Sequence, residues 1–104
     1  MDKDELTTWA LANGWQMIAG APCLTKPSKP NEAIVRIVLK ATLVNVEVKN
    51  PAGKWQKVSG AAYSKIAADP ETGLPLGLGF DTINGFAALM EDNKNRAVFA
   101  KPRG

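Results

Sequence analysis

The chain has 104 residues, of which 45% are hydrophobic and 22% charged, and its net charge is +3, as in one ordinary globular domain. The absence of histidine and the single cysteine, Cys23, exclude Ser/His and Cys/His nucleophilic pairs, an intrachain disulfide and the usual zinc sites. No apolar run approaches the roughly 18 residues of a membrane helix, and the acidic start at Asp2, Asp4 and Glu5 is unlike a signal peptide. We therefore expect one cytoplasmic domain over residues 1–104, with no cofactor, no metal and no membrane partner.

A first helix is predicted to begin at Asp2, because Asp2 and Glu5 have the spacing of a capping box. Apolar residues then recur on one face: Leu6, Trp9 and Ala10. Gly14 is a natural end for the helix, and residues 15–19 predict a short first strand. Residues 21–31 contain three prolines and two lysines, which is typical of an irregular connection.

An alternating pattern then predicts strands. Odd-numbered positions are apolar from Val35 to Leu43, whereas even-numbered positions are apolar from Val44 to Val48. Because strand side chains alternate between two faces, this change of parity requires a bulge or a tight turn near Lys40 to Leu43. The pattern fits either two strands or one sharply bent strand.

The segment Asn50 to Gly53 predicts a hairpin, with proline where a type I turn requires it and glycine where the backbone needs positive φ. A three-residue loop would place Val46 opposite Val58 and Glu47 opposite Lys57. The first pair is apolar and the second has opposite charges, so this register favours pairing on both faces.

A second turn is predicted at residues 69–73, and after it apolar residues alternate with proline and glycine: Leu74, Leu76, Leu78 and Phe80. This predicts a strand with one apolar face, and Pro75 indicates an edge strand because proline cannot donate to a ladder.

Asp81 is the predicted cap of a second helix, whose buried stripe would contain Ile83, Phe86, Ala87 and Met90. We expect this helix to end near Asn93. Residues 97–100 would form a terminal strand, and residues 101–104 a flexible tail. Together these elements predict an α+β fold: an N-terminal helix, an antiparallel β-meander of four or five strands and a C-terminal helix, with both helices packed on one sheet face.

Positive charge concentrates in the predicted sheet, since residues 33–65 sum to +5 and the flanking parts to −1 each. If the strand after Lys54 keeps its parity through Gly60, one face collects aromatic and cationic side chains: Lys49, Trp55, Lys57, Tyr63 and Lys65. These are the candidate site residues. Lysines can also simply solvate an outer face and protect edge strands from aggregation.

Two functions compete for this surface. An uncovered face with Trp55 and Tyr63 would bind a protein partner or a second copy of the chain, whereas aromatic and cationic side chains together are also typical of single-stranded nucleic-acid binding. The glycines Gly77, Gly79 and Gly85 do not match a phosphate-binding motif. We expect a non-enzymatic interaction module that forms a homo-oligomer or binds another protein, with nucleic-acid binding as the alternative. An enzyme would need a carboxylate or lysine pocket that the sequence does not reveal.

Overall fold

A computed structural model describes residues 1–100 of the chain, and the side chains of residues 1–96. The fold is α+β, as predicted, with an N-terminal helix, a five-stranded antiparallel meander in the order β1-β2-β3-β4-β5 and a C-terminal helix. The helices and the strands of this sheet are α1 Lys3–Ala12, β1 Gln16–Ile18, β2 Ala21–Lys26, β3 Lys29–Leu39, β4 Leu43–Lys49, β5 Trp55–Ala62 and α2 Phe86–Ala100. Two short strands, β6 Ala67–Ala68 and β7 Pro75–Leu76, pair with each other. Neither α1 nor α2 is long and apolar enough to cross a membrane.

Helix α1 begins with the predicted capping box. The Asp2 carboxylate accepts a hydrogen bond from the Glu5 N–H at 2.8 Å, and the Glu5 carboxylate accepts one from the Asp2 N–H at 3.1 Å. Leu6 and Ala10 are fully buried, and Trp9 packs against the same core. The capped start and the apolar face therefore fix where the helix begins and which side it buries.

The segment 21–31 is not an irregular connection, so that prediction was wrong. It contains β2 and the start of β3. Ala19 and Gly20 both have positive φ, which suits the tight turn that joins β1 to β2. The three prolines lie where a missing N–H is tolerated. Pro27 is in the β2–β3 turn, and Pro22 and Pro30 are near the starts of β2 and β3.

The change of parity near Lys40 comes from a tight turn. The Lys40 N–H donates to the Leu43 carbonyl at 2.9 Å, and the pairing of β3 with β4 begins at the next pair, Leu39 opposite Val44. Of the two alternatives, the two-strand form is therefore confirmed.

The hairpin at Asn50 is also confirmed, since the Gly53 N–H donates to the Asn50 carbonyl at 2.8 Å and Gly53 has φ +81°. Glu47 pairs with Lys57 as predicted, but Val46 pairs with Ser59 rather than with Val58. Val58 is the extra residue of a β-bulge, and its side chain is 46% exposed. The bulge reverses the parity of β5, so the prediction of unchanged parity through Gly60 was wrong.

Between the sheet and α2, the predicted strand over residues 74–80 was also wrong. Only Pro75–Leu76 is a strand, and Pro75 is buried whereas Leu76 is 46% exposed, which is the reverse of the predicted alternation. Gly77 and Gly79 have φ of +102° and +70°, so the backbone leaves the extended conformation at each. Leu78 and Phe80 are nevertheless buried.

Asp81 does not cap the second helix, so the predicted start of that helix was wrong. Residues 80–82 form a 3₁₀ turn, Gly85 has φ +73°, and α2 begins at Phe86. Phe86 and Met90 of the predicted stripe pack on the core, but Ala87 is exposed. The expected end near Asn93 and the terminal strand over residues 97–100 were wrong as well, because no glycine or proline interrupts α2 before Ala100. The predicted tail, 101–104, lies outside the described residues.

The core lies between the two helices and one face of the sheet. It contains residues from α1, the α1–β1 connection, the inner face of the sheet, the 66–80 segment and α2: Leu6, Ala10, Trp15, Leu24, Val35, Ile37, Val44, Val46, Ile66, Leu78, Phe80 and Phe86. Because side chains alternate along a strand, the neighbours of these strand residues point away from the helices. The sheet therefore has a second face on the opposite side from the core.

Candidate interaction surface

The outer face of the sheet is defined by two rows of side chains. The registers of the four strands β2 to β5 align one row across them: Cys23, Arg36, Glu47 and Lys57. Lys49 and Trp55 form the adjacent pair in β4 and β5. These six residues, called the outer face below, include three of the five predicted site residues.

Trp55 lies at the centre of the interactions on this face. The Arg36 guanidinium carbon is 4.2 Å from the centroid of the Trp55 ring, and the Lys49 ammonium is 5.0 Å from it. Both distances are in the range of cation–π attraction. Trp55 is half-buried.

Arg36 is held in place by Glu47. The Nε and Nη2 atoms of Arg36 donate to the same Glu47 oxygen at 2.8 and 2.6 Å. The two side chains are only 27% and 17% exposed, so the ion pair is less screened than a surface pair. Glu47 thus orients the guanidinium that contacts Trp55, and it neutralises that positive charge.

The other two predicted site residues do not lie on the outer face. Tyr63 and Lys65 belong to a 3₁₀ turn that follows β5. The Tyr63 hydroxyl donates to the Lys40 carbonyl at 2.6 Å, its ring packs against the core, and burial raises the pKa of the phenol. The prediction placed Tyr63 and Lys65 on this face because it assumed one regular strand. The bulge at Val58 and the end of β5 at Ala62 make that assumption wrong.

Sequence reasoning missed Arg36 and Glu47 as members of this surface. Opposite charges at positions 36 and 47 are visible in the sequence, but their pairing depends on the register across the Lys40 turn. Once a tight turn is chosen over a bulge, the two residues fall opposite each other and the pair follows.

A pocket of about 320 Å³ adjoins the outer face, between the β2–β3 and β4–β5 hairpins. It is lined by Lys26, Glu32, Ile34, Lys49, Asn50, Pro51 and Gly53, and is called the hairpin pocket below. The Lys26 ammonium is 2.8 Å from the Glu32 carboxylate, and the Lys29 ammonium is 3.8 Å from it. The hydrogen bond from Lys26, followed by the charges of Lys26, Lys29 and Lys49, lowers the pKa of Glu32.

Positive charge dominates the outer face and the hairpin pocket together. Their two carboxylates, Glu32 and Glu47, are both in ion pairs. Among the described residues, Lys49 and Lys57 form no ion pair with a carboxylate. The surface therefore has two cations outside ion pairs, and one of them, Lys49, lies next to an aromatic ring.

Cys23 is the one thiol on the outer face. Cys23 is 1% exposed, and desolvation raises the pKa of its thiol against the lowering influence of Arg36, so the thiolate is disfavoured at neutral pH. Within residues 1–96, no three cysteine or carboxylate side chains are placed to hold a metal ion.

Comparisons of the sequence with protein-family models and curated proteins, and of the fold with solved structures, find no match.

Proposed function

We propose that this protein is a small, non-enzymatic interaction module that binds another protein, or a second copy of itself, through the outer face of its sheet. The observation that carries the proposal is the arrangement around Trp55, where a half-buried ring lies against Arg36 and Lys49 on the face opposite the helices. Tryptophan and arginine are the residues most enriched at the energetic centres of protein interfaces.

The Arg36–Glu47 pair supports the same proposal. Because Glu47 holds the guanidinium beside the ring, binding would require little ordering of these side chains. A partner could cover Trp55 without leaving Arg36 as a buried unpaired charge, since Glu47 already compensates it.

Site-specific photocrosslinking in the source cells tests the proposal. A photoreactive amino acid is placed at Lys57, which is exposed on the outer face, and in a control at Thr8, which is exposed on α1. We expect discrete adducts from position 57 only, and their loss when Trp55→Ala is added. An adduct of twice the monomer mass identifies self-association, and an adduct of another mass that nuclease treatment leaves unchanged identifies a different protein. Equal crosslinking from both positions, or adducts that survive Trp55→Ala, would contradict the proposal.

Nucleic-acid binding is the second candidate, and the observation that favours it is the Lys49 ammonium beside Trp55, with Lys57 on the same face and neither lysine in an ion pair among the described residues. It predicts saturable binding of a fluorescein-labelled, mixed-sequence single strand, with an affinity that falls steeply between low and moderate salt. Lys57→Ala and Trp55→Ala would both weaken this binding, and Lys65→Ala, away from the outer face, would not. No change in fluorescence anisotropy at low salt would exclude this candidate.

A further inference from the structure

The hairpin pocket has more cations than its carboxylate can neutralise. Lys26 and Lys29 both reach Glu32, at 2.8 and 3.8 Å. Lys49 also lines the pocket, yet among the described residues it forms no ion pair. Glu32 senses the charge of Lys49 but is hydrogen-bonded to Lys26, so an additional carboxylate entering from outside would find an ammonium group that is not already in an ion pair.

Lys49 also connects the pocket to Trp55. Its ammonium is 5.0 Å from the centroid of the ring, and Lys49 and Trp55 are direct neighbours in the register of β4 and β5. A ligand that reaches Lys49 is thus already next to an aromatic surface. Ile34 provides an apolar side chain within the pocket itself.

We infer that the partner presents an acidic, extended segment, that the hairpin pocket accepts one of its carboxylates at Lys49, and that a neighbouring apolar side chain of the segment packs on Trp55. This inference rests on the proposed function and names the chemistry of the partner. Charge complementarity selects the occupant, since the cations of the surface that are outside ion pairs face apolar contacts from Trp55 and Ile34 and, within the described part of the chain, no carboxylate that is outside an ion pair.

The arrangement of charges favours a peptide over a nucleic acid. Glu32 lines the pocket and Glu47 lies in the middle of the outer face, so a chain of evenly spaced phosphates would pass two carboxylates. Trp55 is also the one aromatic residue on the outer face, whereas single strands are commonly held by stacking several bases. A peptide can place a carboxylate at Lys49 and uncharged side chains near Glu32 and Glu47.

The edge of β5 is a poorer site for an added strand. The bulge at Val58 divides β5 into two short regular parts, and lysines occupy positions 54 and 57. Bulges and edge lysines are features that prevent strand addition. We therefore place the segment across the face rather than along the edge.

Peptide selection tests the inference. Random peptides of about twelve residues, which extend to roughly 40 Å, are displayed on phage and selected on the full-length protein. The most enriched peptide is synthesised, and its affinity is measured by anisotropy for wild type, Lys49→Met and Lys65→Met. Methionine keeps the aliphatic stem of lysine without its charge, and Lys65 is the matched control away from the outer face. Circular dichroism verifies that each variant is folded.

We expect Asp and Glu to be enriched beside an apolar residue. Lys49→Met should weaken binding about tenfold, as for one lost charge-assisted hydrogen bond, and Lys65→Met should have little effect. Replacing the critical Glu of the peptide by Gln should weaken binding to wild type but not further to Lys49→Met, which identifies the contact directly.

Other outcomes separate this inference from the proposed function. Neutral or basic peptides that lose affinity with Trp55→Ala would overturn the acidic partner but leave the interaction surface in place. No enriched peptide, or peptides that bind Trp55→Ala as tightly as wild type, would count against both. A single-stranded oligonucleotide that displaces the selected peptide at equimolar concentration would replace the acidic segment with a nucleic acid.

Discussion

Asn93 provides the most direct test of how this fold is held together. Asn93 is 2% exposed. Its side-chain amide bonds the backbone N–H and carbonyl of Thr25 in β2, as a neighbouring strand would. The Asn93 Oδ1 accepts from the Thr25 N–H at 3.0 Å and from the Thr25 hydroxyl at 3.1 Å, while Nδ2 donates to the Thr25 carbonyl at 3.0 Å. Strand β1 does not reach Thr25, because its first residue, Gln16, pairs with Cys23, two residues before Thr25. The Asn93 side chain therefore occupies the place of a strand partner at Thr25.

Asn93→Ala would leave the N–H and the carbonyl of Thr25 buried without these partners. Each unsatisfied buried group costs about 1–3 kcal/mol, so we expect a loss of about 3 kcal/mol in the free energy of unfolding after some relaxation and water entry. For a domain of this size, that loss corresponds to a fall in Tm of roughly 10–20 °C. The hydrogen bond from Nδ2 to the Leu89 carbonyl is lost as well. This loss adds little to the cost, because Leu89 lies one turn before Asn93 in α2 and its carbonyl is a backbone acceptor of the helix.

Urea unfolding followed by circular dichroism measures the effect, with Asn95→Ala as the matched control. Asn95 is an exposed asparagine in the same helix, and its replacement should change the free energy of unfolding by less than about 0.5 kcal/mol. If Asn93→Ala and Asn95→Ala were equally stable, the link between α2 and β2 would not depend on this network, and the reasoning would be refuted.

Three further predictions concern other parts of the molecule. Gly14→Ala should cost about 3 kcal/mol in the same assay, because Gly14 has φ +88° and an added Cβ would lie 2.6 Å from the Asn93 carbonyl group; Gly53→Ala, with φ +81° but open space, should cost less. A double-mutant cycle of Arg36→Met and Glu47→Gln should give a coupling energy of about 1 kcal/mol, and a value near zero would show that Glu47 does not hold Arg36. Tyr63, the only tyrosine, should titrate above the usual pKa in an ultraviolet absorbance titration, since burial raises its pKa. Because the folded state holds the phenol proton more tightly than the unfolded state, the free energy of unfolding should fall as the pH rises beyond about 10. Tyr63→Phe should remove this part of the pH dependence.

Local signals predicted the elements that depend on few neighbours. The capping box at Asp2 and the turn at Asn50 are each specified by residues within one short segment, and both are confirmed. The change of parity after Lys40 also located a real turn.

The elements that were predicted wrongly depend on tertiary packing. The bulge at Val58 has no distinctive sequence, because the pattern around it fits a regular strand equally well. The start of α2 was misplaced because Asp81 is a typical cap residue, whereas the 3₁₀ turn at residues 80–82 and the positive φ of Gly85 delay the helix to Phe86. The candidate site suffered from the first error, since one added residue in β5 moved Tyr63 away from Trp55.

Salt dependence distinguishes the two kinds of partner that the proposed function allows. A two-fold dimer through the outer face would bring each face against its own copy, and the uncompensated charges of Lys49 and Lys57 would then repel each other across the interface. Screening reduces this repulsion, so self-association should strengthen as the salt concentration rises. Binding of an acidic segment should weaken under the same change, because its attraction to these lysines is screened. Sedimentation equilibrium at about 0.05 and 0.5 M NaCl measures the first effect, and the anisotropy assay measures the second. A dimer that dissociates at high salt would contradict a symmetric contact between outer faces and would place any self-association on another surface.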